Sequence, residues 1–262
     1  MIKGLYISAA GMLPLSYRQD LTSNNLANTG TSGYKQDRAF VRALVDASLY
    51  LSENGFATSG QPPQMVNISP PAYSAAVGRA ASQVVEERTD FSQGPMEVTD
   101  NDFNLAIHGD GFFTVQTAQG TQFTRSSNFG INNNGNLVTS EGFVVLGTGG
   151  PINVQGSKLT VQRNGDVLVD GIQRGTLRIT DFPKPYKLLK TQDNLFVPEG
   201  GGAGQTAQNA VVRQGVVEGA NGHPIDQMVQ MIEISRMFEL GQRAIRLQDE
   251  TLQQAVTQAG RI

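Results

Sequence analysis

The sequence contains no cysteine, no tryptophan and only two histidines, His108 and His223. Without cysteine the chain has no disulfide, no thiolate metal ligand and no cysteine nucleophile. His108 lies close to Asp110 in the sequence, but a closed metal site needs three or four ligands. No Lys-Ser or Lys-Thr pair follows Gly109 and Gly111, so a phosphate-binding loop is not indicated. We therefore expect no catalytic residue, no metal and no cofactor, and the chain is not predicted to be an enzyme.

Long hydrophobic runs and a strong excess of charge are also missing. No stretch approaches the ~20 consecutive apolar residues of a membrane-spanning helix, so we expect no membrane insertion. The formal net charge of -3 argues against a general nucleic-acid binder. The apolar run after Lys3 is interrupted by Gly4, Ser8, Gly11 and Pro14 and leads to no convincing cleavage site. We therefore expect no cleaved signal peptide.

The C-terminal region, residues 223–262, carries an apolar repeat with a period of seven. Pro224 suits the first turn of a helix, where its missing N–H is not needed. The repeat consists of Met231, Phe238, Ile245 and Leu252, with Met228 near the second seam position. This period predicts a long amphipathic helix that lays its apolar face on another helix. The helix either docks on its own domain or serves in assembly.

Residues 2–28 show a second helical pattern, which Pro14 should kink. Such a helix is marginal alone in water, and the C-terminal helix is its best partner. We predict that residues 1–30 and 216–262 pack as a coiled-coil-like core domain. The predicted assembly interface consists of Leu5, Ala9, Met12, Leu13, Met228, Met231, Phe238, Ile245 and Leu252.

The middle of the chain changes character twice. Residues 31–80 become rich in Ser, Gly, Pro and Asn, which indicates an extended connector. In residues 81–215 the apolar period becomes two, and glycine-containing turns recur every 8–12 residues or so. This pattern predicts a central antiparallel all-β domain. Together with the terminal helices, the predicted fold class is α+β.

Three groups of residues in this chain form strings that resemble one known family. The first string lies at the end of the N-terminal helix and consists of Asn24, Asn25, Leu26, Ala27, Asn28, Thr31, Gly33, Tyr34 and Lys35. The second runs from Asp102 to Phe113 and continues with Phe123-Thr124-Arg125. The third is Gly215-Val216-Val217-Glu218-Gly219-Ala220-Asn221, before the last helix. These strings are similar to motifs of the flagellar rod and hook proteins, although Gly222-His223-Pro224 departs from the family pattern.

The resemblance implies a structural subunit of the bacterial flagellar basal-body rod, of the FlgF/FlgG type. The proximal-rod form is favoured by the string that begins at Arg174, and the distal-rod form is the alternative. Such a subunit would polymerise through its terminal helices into the torque-transmitting shaft in the periplasm. Its partners would be further copies, other rod proteins and the flagellar type III export apparatus. Phe40 and Leu44 resemble a short export signal. The rival from another class is a periplasmic glycan-binding β domain.

Overall fold

The structure, a computed structural model, describes residues 2–43, 83–202 and 204–259. The predicted site residue Leu44 lies outside these ranges, and so do the side chains of Leu5 and Ala9. The chain divides into two compact units. The first contains Met1–Asn24, Asp37–Arg88 and Ile225–Ile262. The second contains Asn25–Gln36 and Thr89–Pro224.

The described part of the chain has two α-helices. Helix α1 spans Ile2–Ala27 and includes Pro14. Helix α2 spans Pro224–Ala259, and it begins at the proline that suits a first helical turn. Asp226 lies in the first turn of α2, where the partial positive charge of the helix N-terminus favours a carboxylate. The first unit also contains a two-stranded sheet of β1 (Asp37–Ala43) and β2 (Gln83–Thr89).

The other described strands are short and belong to the second unit. They are β3 (Met96–Val98), β4 (Leu105–His108), β5 (Phe112–Thr117), β6 (Gly120–Thr124), β7 (Phe129–Ile131), β8 (Leu137–Thr139), β9 (Val144–Gly147), β10 (Gly150–Pro151), β11 (Leu159–Val161), β12 (Asp166–Val169), β13 (Ile172–Thr176), β14 (Ile179–Asp181), β15 (Leu188–Lys190), β16 (Leu195–Pro198), β17 (Gln205–Thr206), β18 (Val211–Gln214) and β19 (Val216–Glu218). Two short 3-10 helices, Gln192–Asn194 and Glu199–Gly201, flank β16.

A ten-stranded sheet forms the main layer of the second unit. Its strand order is β15-β16-β6-β5-β9-β8-β7, with β10 beside β9, β14 beside β5, and β17 beside β14. A three-stranded sheet, β11-β12-β13, and two pairs, β18-β4 and β19-β3, complete the described strands. The strands pair antiparallel throughout this unit, as the hairpin-rich sequence requires.

Two clusters of buried side chains form the core of the second unit. The larger is aliphatic and includes the fully buried Leu105, Val115 and Val145. The smaller is mainly aromatic, and in it Phe123 and Phe182 meet edge to face with ring centroids 4.9 Å apart. Most members of both clusters lie on strands, and β5 contributes to both, with Phe112 in the aromatic cluster and the adjacent Phe113 in the aliphatic one.

The predicted fold class, with terminal helices packed as a coiled-coil-like core domain, is wrong. The described chain is mostly antiparallel strand with two helices, and neither apolar cluster contains a helical residue. Among the helix residues whose side chains the structure describes, Ile234, 2% exposed, is the one large aliphatic or aromatic side chain that is buried. Leu13 is 72% exposed and Met228 51% exposed. A seven-residue apolar period fixes which side chains share a helix face, but it does not ensure that the face is buried deeply enough to form a core.

Candidate functional site

The described residues hold no group of three or more His, Asp or Glu side chains that could bind a metal ion. Among the described helices, none combines the length and the apolar character needed to cross a membrane. The candidate functional features are of another kind. They are a buried charged cluster in the second unit and the two faces of helix α2.

The segment that follows α1, residues 31–36, lies against the strands of the second unit. Gly33 has φ +65°, and a Cβ atom at this position would overlap the carbonyl oxygen of Arg125. The N–H of Gly33 donates to the carbonyl oxygen of Glu218 at 2.7 Å. Glycine is therefore required here both by the backbone conformation and by the close approach of another backbone.

Three charged side chains meet beside this glycine. The Nζ atom of Lys35 donates to Oε1 of Glu218 at 2.6 Å, and Nη1 of Arg125 donates to Oε2 at 3.1 Å. Glu218 is 0% exposed and Lys35 1% exposed. Burial lowers the pKa of Lys35, and the attraction of the Glu218 carboxylate opposes that shift. The carboxylate thus neutralises charge that would otherwise be buried without a counter-ion.

Backbone groups complete the coordination of this cluster. Gly94 donates its N–H to Oε1 of Glu218 at 3.1 Å. Lys35 also donates to the carbonyl oxygen of Ser92 at 2.8 Å, and Arg125 donates to the carbonyl oxygen of Ile107 at 3.1 Å. Both cations are therefore held by the carboxylate and by strand-region carbonyl oxygens together.

Two further side chains bind the same segment. Asn221 accepts a hydrogen bond from the N–H of Gln36 at 2.8 Å and donates to the carbonyl oxygen of Asp90 at 2.6 Å. The Nζ atom of Lys190 lies 3.6 Å from the centroid of the Tyr34 ring and donates to the carbonyl oxygen of Lys35 at 2.7 Å. An irregular segment without a strand partner thus has its backbone polar groups satisfied by side chains.

The structure separates the residues of the first motif string into two groups. Asn25, Gly33, Tyr34 and Lys35 are buried, and the hydroxyl of Tyr34 donates to Oδ1 of Asn25 at 3.2 Å. The remaining residues are exposed or half-buried; they are Asn24, Leu26, Ala27, Asn28 and Thr31.

Sequence reasoning did not single out Arg125, Glu218 or Asn221 as site residues. The signal was nevertheless present, because each belongs to one of the strings that carry the family resemblance. Glu218 also follows the buried Val216 by two positions in β19, which places its carboxylate on the inward face of an alternating strand.

One face of helix α2 is sheltered within the first unit. Ile234 is buried, and the predicted interface residues Met231, Phe238, Ile245 and Leu252 are half-buried. Gly241 lies on the same face, and a Cβ atom there would be 3.2 Å from Cγ and Sδ of Met12 in α1. The two terminal helices therefore contact each other at Gly241, although they do not form the core of the protein.

The opposite face of α2 also carries large apolar side chains. At about 3.6 residues per turn, these residues fall roughly half a turn away from Ile234. They form an exposed row that we call the outward stripe. Its members are Ile225, Met228, Val229, Ile232, Leu240 and Leu247. The predicted interface residue Met228 belongs to the outward stripe rather than to the sheltered face.

Two other features belong to the first unit. The Tyr17 hydroxyl donates to Oε2 of Glu87 at 2.6 Å, and this hydrogen bond raises the pKa of Tyr17 to about 12. Phe40, from the predicted export signal, lies on β1 and is 49% exposed.

Comparisons with known proteins identify relatives along nearly the whole chain. Residues 106–169 match the model of the flagellar hook protein FlgE/F/G D1 domain, and residues 213–258 match that of the flagellar basal body rod FlgEFG protein C-terminal region. The flagellar basal-body rod protein FlgF of Caulobacter vibrioides is 29% identical over 100% of both chains. FlgG of Borreliella burgdorferi is 31% identical over 96% of this chain and 97% of its own length. FlgG of Bacillus subtilis is 28% identical over 98% of both chains.

The relatives bear both names, FlgF and FlgG, so the preference for a proximal-rod subunit stays a prediction. The two family models match residues that include Arg125 and Glu218, the other two members of the buried cluster. With these matches and a relative that is 31% identical over nearly its full length, the chain belongs to the flagellar basal-body rod proteins of the FlgF/FlgG type.

Proposed function

We propose that this rod subunit polymerises through its terminal helices into the torque-transmitting shaft of the basal body. The outward stripe of α2 is the observation that carries the proposal. Its side chains are about half to three-quarters exposed, although the opposite face of the same helix is already sheltered. Exposed large apolar side chains that share one helix face are characteristic of a protein–protein contact.

A contact between unlike surfaces of successive copies produces an open helical filament when its rotation does not close a ring. Fully burying an Ile, Leu, Val or Met side chain stabilises a contact by about 1.5–3 kcal/mol, and the half-exposed residues of the stripe would contribute part of that each. Every subunit repeats the contact, so the free energy of this contact contributes to the concentration at which the subunits polymerise.

The test is the substitution Ile232→Asp in the full-length protein. Ile232 is 53% exposed, so the subunit should fold normally, but an aspartate buried in a contact would lack a partner. We expect the variant to remain monomeric in sedimentation at concentrations where the unmodified protein polymerises. It should also fail to restore motility in a strain that lacks the rod protein.

The matched control is Gln230→Asp, which adds the same charge to an exposed position of α2 outside the stripe. It should polymerise and support motility. Normal polymerisation of Ile232→Asp, or an equal defect in both variants, would exclude the outward stripe as the assembly surface.

Copies of this chain, other rod proteins and the flagellar type III export apparatus are the proposed partners, and the periplasmic part of the basal body is the proposed location. The proximal and distal forms are distinguished by whether this chain restores motility to a strain that lacks the proximal rod protein or to one that lacks the distal rod protein.

We also propose export without cleavage. The intact mass of the protein recovered from basal bodies tests this, because loss of the first 15–30 residues or so would contradict it.

A further inference from the structure

The buried cluster of Lys35, Arg125 and Glu218 joins distant parts of the chain. Lys35 and Glu218 are 183 positions apart, and Arg125 and Glu218 are 93 apart. The segment that Lys35 anchors has irregular structure from Tyr34 to Gln36 and is nevertheless buried. A buried segment of this kind lacks a strand ladder that would fix its position.

Residues that come later in the chain bond the backbone of the segment at several points. Ser32 accepts a hydrogen bond from the side chain of Asn194 at 3.1 Å, and Gln36 accepts one from the N–H of Asp90 at 2.9 Å. Tyr34 accepts one from the N–H of Asn221 at 3.3 Å. The position of the segment therefore depends on contacts with residues between 90 and 221.

The cluster is not arranged for the greatest stability. Arg125 is buried, and its Nε atom has no hydrogen-bond partner in the part of the chain that the structure describes. A buried polar atom without a partner is unfavourable. Buried ion pairs often stabilise no better than apolar side chains of similar size, whereas fixing a register is a well-attested use of them.

We infer that the Lys35–Glu218–Arg125 cluster is a register lock, which holds residues 31–36 in a single position on the second unit. A shift of the segment by one residue would withdraw Lys35 from Glu218 and would bring a residue with a Cβ atom against the Arg125 carbonyl oxygen. The first change leaves a carboxylate with one cation, and the second produces a clash. Charge and shape thus select the same register.

The lock is tested by site-resolved amide hydrogen exchange on the full-length protein carrying Glu218→Gln. The N–H groups of Gly33 and Gln36 bond to the backbone of Glu218 and to Asn221, so they report on the position of the segment. We expect both N–H groups to exchange about a hundredfold faster, because the substitution removes a buried ion pair that holds the segment. Amides of the paired strands β5 and β6 should keep their exchange rates.

Glu199→Gln, at an exposed position of the same unit, is the matched control and should change neither set of amides. Lys190→Met is a milder variant that removes the bond to the Lys35 carbonyl oxygen and the cation over the Tyr34 ring, and it leaves the three charges of the cluster intact. It should speed exchange at Gln36 by a smaller factor. The lock would be overturned if the exchange rates at Gly33 and Gln36 did not change in Glu218→Gln. It would also be overturned if either variant raised the exchange rates of the β5 and β6 amides by the same factor as those of the segment. Neither result depends on whether the subunit polymerises.

Discussion

At the scale of single residues, three distant strings of the sequence supply one buried cluster. The string after α1 gives Lys35, the string around β6 gives Arg125, and the string at β19 gives Glu218. Sequence reasoning found all three strings, yet it selected site residues only from the first. The alternation in β19 indicates an inward carboxylate at Glu218, but the pattern does not tell which cations lie opposite, because that depends on contacts between residues far apart in the sequence.

The same cluster makes Gly33 the glycine whose substitution should cost most. In Gly33→Ala the residue must keep φ +65°, which disfavours a side chain, and its Cβ would overlap the Arg125 carbonyl oxygen. The unfavourable φ alone is worth about 1–3 kcal/mol, and the overlap adds to it. We expect the free energy of unfolding, measured by urea denaturation, to fall by at least that amount.

Gly30→Ala is the control for this substitution. No heavy atom lies within 4 Å of a Cβ built at Gly30, and its φ is outside the left-handed region. The unfolding free energy should therefore change by no more than about 0.5 kcal/mol. Similar losses in the two variants would mean that Gly33 is not in contact with Arg125.

At the scale of elements, periodicity located the helices better than it located their buried faces. The patterns predicted helices over 2–28 and 223–262, and the structure has them at Ile2–Ala27 and Pro224–Ala259. The sheltered face of α2, however, includes Gln227, Gly241 and Gln248 beside the apolar repeat. Small and polar residues leave no apolar signal, so the sequence pointed to Met228 for the second row, where the structure has an exposed side chain.

The contact between the helices can be measured by replacing one glycine in each. Gly11→Ala in α1 meets no heavy atom within 4 Å, so it should gain the full helix preference of alanine over glycine, about 1 kcal/mol. Gly241→Ala has the same intrinsic gain but must displace Met12, whose Cγ and Sδ would lie 3.2 Å from the new Cβ. We expect Gly11→Ala to raise the midpoint of thermal unfolding, followed by helical circular dichroism, more than Gly241→Ala does. Equal increases would show that α1 does not pack at Gly241.

At the scale of the whole molecule, the second unit is assembled from two separated stretches of chain, Asn25–Gln36 and Thr89–Pro224. A change of apolar period marks where helices give way to strands, but it cannot show that a short segment after α1 belongs with strands far along the sequence. The buried contacts of Lys35 and the hydrogen bonds of Asn221 provide the physical reason. Residues 216–224, next to α2 in sequence, belong with the strands for the same reason.

Two truncated chains that differ only in residues 216–224 test how the second unit is assembled. A chain ending after Pro224 lacks the rest of α2 but keeps Glu218, Asn221 and both apolar clusters. Its strand unit should melt at nearly the temperature of the full-length protein, as followed by circular dichroism at a wavelength that reports on strands.

A chain ending after Gly215 loses β19 and its pairing with β3, and it leaves Lys35 and Arg125 buried without their carboxylate. Removing one partner of a buried ion pair costs about 3–5 kcal/mol, so this chain should melt at a clearly lower temperature. Comparable melting of the two truncated chains would mean that residues 216–224 contribute nothing to the strand unit, and a large loss in the longer chain would mean that the unit depends on α2.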